Sequence, residues 1–150
     1  MIDDVSVMAA TGSFRLSLPP AMVSISISRS AVRRVVVFRD ADAESSFLVA
    51  LTEIVANAID EHVRVGRDRP IVLEVNFGVV DSVRVIDAGD GLADLSGTSS
   101  SSQHPSGGDD PGERGRGLVL ARAMVPTIEF ETSDSGTVVT LPIAGYGIVR

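Results

Sequence analysis

The sequence contains no cysteine and no lysine. Without cysteine there is no disulfide, no thiolate chemistry and no Cys-ligated zinc, which fits a reducing compartment. Without lysine, all 13 basic residues are arginine. A P-loop needs Gly-Lys-Ser/Thr, so a Walker-type nucleotide site is excluded. Long apolar runs are missing too: none reaches the roughly 18 residues of a membrane span. The first residues, Met1-Ile2-Asp3-Asp4, are acidic where a signal peptide needs a basic start. These absences predict a soluble cytoplasmic protein with no membrane attachment. Positive charge is also short. The formal net charge is -7 and the pI about 4.7, which disfavours direct nucleic-acid or anionic-membrane binding.

What is present is a chain of 150 residues, 44% of them apolar. That is the size of one ordinary domain with a real core. Residues 1–12 read as a lead-in and 13–150 as a single domain. Phe14 to Leu18 alternates apolar and polar residues like a half-buried strand, and Pro19-Pro20 ends it. In residues 21–38, Met22, Ile25, Ile27, Val32 and Val36 stand among Ser and Arg. This suits an amphipathic helix, although its β-branched content also suits a strand.

The next segment is clearer. Asp40 or Asp42 can cap a helix, Glu44 falls in the favoured first turn, and Gly66 supplies a stop. Between them Phe47, Leu51, Ile54, Val55, Ala58 and Ile59 keep helical period. Two short strands follow, Ile71–Phe77 and Ser82–Ile86, joined at Gly78. From Leu92 to Gly115, Ser, Gly, Asp and Pro dominate. A structureless stretch of about two dozen residues is usually a lid or an insert. Gly117–Met124 reads as a short helix. Thr127–Glu131 and Thr137–Leu141 read as a closing hairpin around Ser133-Asp134-Ser135-Gly136. The order predicts a two-layer α/β sandwich, a mixed sheet with helices on one face and a lid at about 92–115.

Four local patterns carry chemistry. At roughly 100° per residue, Glu53, Asn57, Asp60 and Arg64 share a helix stripe about 60° wide, and Leu51, Val55 and Ala58 lie opposite. An Asn oxygen suits Mg²⁺, and a Glu one turn away can take a proton from a hydroxyl or a water. His62 points with the apolar side and reads as a core histidine. Second, a strand runs into Asp87-Ala88-Gly89-Asp90-Gly91. A buried Asp there can accept from an amino group such as that of adenine, and the glycines permit close approach. Third, Arg114-Gly115-Arg116-Gly117-Leu118 opens the short helix, where free N–H groups attract phosphate. Fourth, Gly136-Thr137 precedes the last strand. Each pattern alone is what a solvated helix face, an Asp-Gly turn, a glycine hinge or a hairpin also produces.

Their order is more specific. Glu53-x-x-x-Asn57-Ala58, then Asp87-x-Gly89-x-Gly91, a lid, Gly115-x-Gly117, then Gly136-Thr137 resembles the GHKL ATPase and kinase superfamily over about residues 44–143. Within it, the stretch Glu113 to Leu141 is most similar to the anti-sigma-factor serine kinases. The resemblance implies that Glu53 is the general base and Asn57 the Mg²⁺ ligand. It implies that Asp87 reads adenine with Thr137 helping through water, that Gly89 and Gly91 shape the base pocket, and that the 114–118 segment and Asp60 belong to the ATP site. It further implies a homodimer through the early strand and helix, Met22 to Val36. Core packing is the other reading of that segment. The implied partners are a sigma factor, which is sequestered, and an anti-anti-sigma antagonist, which is phosphorylated. One departure is visible: those kinases often carry His four residues after the Asn, where this chain has Glu61, with His62 one later. The Asn-x-x-Asp-Glu run from Asn57 is closer to gyrase-type ATPases, which use a second domain and a lysine. A plain ATP hydrolase and an ATP-gated binding protein remain the alternatives.

Overall fold

The longest helix is bounded by the residues that the sequence offers as caps. Asp40 accepts a hydrogen bond from the Ala43 N–H at 2.7 Å, and that bond, helped by Arg39, holds its carboxyl below the usual range. Gly66 closes the helix in the left-handed region at φ 70°, a conformation costly for any residue with a Cβ. The computed structural model describes residues 12–66, 69–87, 111–133 and 136–150. In chain order these form β1 (Gly12–Leu18), α1 (Val23–Val35), β2 (Val36–Phe38), α2 (Ala41–Val65), β3 (Ile71–Phe77), β4 (Ser82–Asp87), α3 (Pro111–Met124), β5 (Glu129–Ser133), β6 (Gly136–Pro142) and β7 (Gly147–Val149). The lead-in 1–11, Gly89, Gly91 and lid positions 92–110 lie outside the described residues. No helix among the described residues is long and apolar enough to cross a membrane.

Five strands form one sheet in the order β1-β3-β4-β6-β5, and β2 pairs with β7 in a separate ribbon. The α/β architecture holds, with one correction: every pairing in the main sheet is antiparallel, not mixed. The reason is where β6 sits. The crossover from β4 through α3 leaves β5 parallel to β4, but β6 lies between the two and pairs antiparallel with both.

Period-two alternation then sorts the sheet into two faces. Leu73, Val85 and Val139 stand in one inward row, and Val75, Val83 and Leu141 in the next. Against them α2 buries Phe47, Leu51, Ile54 and Val55. A fully buried side chain of this size contributes about 1.5–3 kcal/mol. Phe47 also meets Phe38 and Tyr146, each at 5.6 Å between ring centres.

Helix is the correct reading of 23–35, but α1 does not bury the apolar face that its sequence suggests. Ser24, Ser28 and Val32 are buried, whereas Met22, just before the helix, and Val23 are more than half exposed. The serines are tolerated inside because each has an acceptor: Ser24 Oγ donates to Pro19 O at 2.5 Å and Ser28 Oγ to Ser24 O at 2.7 Å. Val32 and Val36 do join the core.

The outer face carries a charged cross-strand row. Arg15, Glu74 and Arg84 are register partners on β1, β3 and β4. The Glu74 side chain is only 3% exposed and accepts from Arg15 Nε, from Arg84 Nη1 at 2.8 Å and from Asn76 Nδ2 at 3.0 Å. Burial works against its charge, but these donors outweigh burial and hold the carboxyl below its ordinary range. Glu74→Gln is therefore expected to cost about 2 kcal/mol at neutral pH. A folded pKa below the unfolded one gives stability that is present above the unfolded value and lost as pH falls through the folded value. Urea titrations at pH 7 and pH 3 check this: the gap between wild type and variant should narrow at the lower pH.

Candidate functional site

The stripe that the sequence places on one helix face lies on α2, and its residues differ in depth. Glu53 and Asn57 are half-buried, while Asp60 and Arg64 are exposed. Arg64 donates to Glu61 at 2.5 Å. Glu53 lies where α2 packs against α3. There Gly117 makes a close approach: a Cβ built on it would stand 2.9 Å from Glu53 Oε2. The bare α-carbon of Gly117 is what leaves the Glu53 carboxylate its place.

The glycine-arginine segment sits differently from the sequence expectation. α3 begins at Pro111, not at Gly117, because proline is pre-set for the first helical position and lacks an N–H to satisfy there. Gly115 and Gly117 are thus inside the helix. Beyond the first turn an α-helix commits each N–H to the carbonyl four residues back. The open N–H groups of this helix belong to its first turn, before Gly115. Leu118 packs against the hydrophobic core. The side chains of Arg114 and Arg116 lie outside the described residues.

At the end of the sheet, β4 delivers Asp87, which is 7% exposed. Its register partner on β6 is Thr137. Directly opposite residues on antiparallel strands share a face, so this pair stands side by side on the inward face, one cross-strand row beyond Val85 and Val139. Two residues 50 positions apart in the chain are adjacent for that reason alone. A buried carboxylate beside a hydroxyl is suited to a ligand N–H donor.

One further contact was not legible in the sequence. His62 is the core histidine that its helical phase predicts, 1% exposed, but its Nδ1 is 3.4 Å from Asp87 Oδ1 as well as 3.0 Å from Ala58 O. The helix that carries Glu53 and Asn57 thus comes within 3.4 Å of the strand residue Asp87 at this point, without a hydrogen bond from the ring to Oδ1. Only the three-dimensional meeting of α2 and β4 puts the two in reach, and no local pattern signals it.

Among the described residues, no group of three or more His, Cys, Asp or Glu side chains could hold a metal. Mg²⁺ commonly takes one or two protein oxygens and fills its shell with water and substrate phosphate oxygens, and the half-buried Asn57 amide suits that role.

Comparison with known proteins places this geometry in context. The model of the histidine kinase-like ATPase domain family matches residues 20–143. No curated protein matches the chain. Among solved structures, the chain is similar to the crystal structure of the RsbU and RsbW domains of Rv1364c from Mycobacterium tuberculosis. The two share 18% identity with a TM-score of 0.57, and the match covers 89% of this chain and 32% of that one. The chain thus spans about a third of the length of its structural relative, and the likeness is one of fold.

Proposed function

The chain belongs to the histidine kinase-like ATPase domain family, and from that premise we propose that it is an ATP- and Mg²⁺-dependent protein serine kinase of the anti-sigma-factor type. The observation that carries the reading is the placement of Glu53 and Asn57 on one half-buried stripe. The same helix brings His62 within 3.4 Å of Asp87, the candidate acceptor for adenine. The RsbW domain in the structural relative favours this branch of the family over the others.

On this reading Asp87 accepts from the adenine amino group and Thr137 stands beside it, with Gly89 and Gly91 at the base pocket. Asn57 would hold Mg²⁺, which would supply charge neutralisation on the phosphates. Glu53 orients a serine hydroxyl of the partner and takes its proton. The serine Oγ forms a bond to the γ-phosphorus, the bond to the bridging oxygen breaks, and ADP leaves. Positioning and charge balance do most of the work in such a transfer. The 114–118 segment would reach phosphate through the first turn of α3, ahead of Gly115 and Gly117. The phosphate acceptor would be an anti-anti-sigma antagonist, and a sigma factor would be the sequestered partner, with direct nucleic-acid contact unneeded. The ATP requirement suits a cytoplasmic setting. Met22, Val23 and Ile27 are exposed, and Ile27 lines an open groove of about 480 Å³ between β1 and α1 with Phe14, Leu16, Val35 and Arg34. They support a homodimer through this face.

The test is γ-labelled ATP with Mg²⁺, with and without an antagonist-like partner. Label on a partner serine is the expected outcome. Free phosphate without labelled protein would make the chain a hydrolase, since Glu53 can serve water equally well. Binding without turnover would leave an ATP-gated binder, and no binding would overturn the pocket.

A further inference from the structure

We propose that Tyr146 is a positioning residue that sets the lengthwise seat of α3 against α2 and so places the Glu53 carboxylate. The inference rests on the reading of Glu53 as the base. Its evidence is a joint between the two helices, roughly two turns from Glu53.

Tyr146 stands in the turn between β6 and β7, and its backbone is held on two sides. Its N–H donates to Ile143 O at 2.9 Å, and its carbonyl accepts from the Arg39 N–H at 2.7 Å, beside the residue that caps α2. Its ring packs on Phe47 of α2 with 5.6 Å between centres, and Phe47 is sealed in the core. From that fixed place the hydroxyl donates to the carbonyl of Met124, the last residue of α3, at 2.7 Å. The last carbonyls of a helix have no donor of their own. The Ile128 N–H, which would serve Met124 if the helix ran on, goes to Val125 O instead.

The face that α3 turns to α2 does little to fix its lengthwise position. Gly117 has no side chain, and Ala121, one turn on and fully buried, has a methyl. Ridges of side chains fitted into grooves are what register two helices, and this stretch offers shallow ones. Apolar packing holds the helices together without setting a direction, whereas a hydroxyl-to-carbonyl bond sets one. The spacing agrees on both helices. At 1.5 Å per residue, Phe47 to Glu53 runs roughly 9 Å along α2, and Met124 back to Gly117 runs roughly 10.5 Å along α3. The Tyr146 joint and the approach of Gly117 to Glu53 are thus two points on one antiparallel seam. A stiff helix pinned at Met124 carries that position to Gly117, whose bare α-carbon leaves Glu53 Oε2 its place. Without the pin α3 can slide, and the carboxylate follows.

The experiment compares wild type, Tyr146→Phe, Glu53→Gln and the double variant. Phenylalanine keeps the ring on Phe47 and removes only the hydroxyl, so the fold should stand. With γ-labelled ATP, Mg²⁺ and the labelled partner, Tyr146→Phe is expected to lower kcat about tenfold, a fraction of the loss of about 10²-fold that a misplacement of about 1 Å brings. ATP affinity should stay within about twofold. In the Glu53→Gln background the hydroxyl should matter by less than about twofold, because both changes act through one carboxylate. An equal loss in both backgrounds would mean that Tyr146 only supports the fold, and would overturn the proposal, as would unchanged turnover in Tyr146→Phe.

A second readout needs no turnover. The ¹³Cδ resonance of Glu53, identified by its loss in Glu53→Gln, should move in Tyr146→Phe, while that of Glu74 on the outer face of the sheet stays. A Glu53 resonance that stays as well would overturn the proposal. If wild type labels no partner, the kinase reading fails by itself, and this resonance still decides whether Tyr146 places Glu53.

Discussion

Glu53→Gln is expected to lower phosphoryl transfer by about 10²–10⁴-fold and to leave ATP affinity within about threefold. The substitution keeps the shape of the side chain and removes its basicity. Glu53 is half-buried on α2, so an amide of equal size should be accommodated with little loss of stability. The expected split follows from the proposed roles. Asp87 and Thr137 would hold the base, Asn57 the metal, and none of these is touched. A transition-state role lowers kcat without raising KM, whereas a ground-state binding role does the reverse. Steady-state kinetics with a labelled partner, beside a direct ATP titration, measures both. A raised KM with unchanged kcat would remove Glu53 from the base role.

Gly117→Ala is expected to lower turnover by about 10²-fold, because a misplacement of about 1 Å in a catalytic group is enough for that. The fold should remain intact or gain slightly. The added methyl would lie 2.9 Å from Glu53 Oε2, and no real Cβ tolerates that distance. What yields is the end of a flexible carboxylate, so the cost falls on the position of Glu53 more than on the backbone. Alanine in a helix interior is favoured over glycine by about 1 kcal/mol. A variant that melts no lower than wild type, binds ATP and turns over poorly would separate positioning from stability. In the double variant with Glu53→Gln, the Gly117 effect should nearly vanish, since both act on one carboxylate. Full additivity would show that Gly117 acts elsewhere.

The parts of the fold that the sequence made legible are those with local causes. The α2 boundaries were readable because Asp40 and Gly66 are local signals. β1 was readable from its alternation between Phe14 and Leu18, and β3 and β4 as short strands joined at Gly78. β7 was missed: three residues carry no period, and the strand exists only because β2 pairs with it. The start of α3 was missed because glycines at 112, 115 and 117 look like loop, whereas packing against α2 overrides their poor propensity. The mixed sheet was wrong because strand direction is a matter of topology, and the placement of β6 between β4 and β5 has no local signature. For the site, the helical phase of Glu53, Asn57 and His62 was legible from period alone. That Asp87 would neighbour Thr137, and that His62 would reach Asp87, depends on register and packing between distant segments.

The β2–β7 ribbon has a consequence for the order of events during synthesis. Val36 to Phe38 pair with Gly147 to Val149, and the Arg150 N–H donates to Val35 O at 2.8 Å. The junction between α1 and α2 therefore waits, with its backbone groups unpaired, until residues about 110 positions later have left the ribosome. Until then β2 is an open strand edge, the kind that invites pairing with another chain. A ribosome stalled before residue 147 would hold a nascent protein that has the segments of its candidate site but lacks the clasp that closes it.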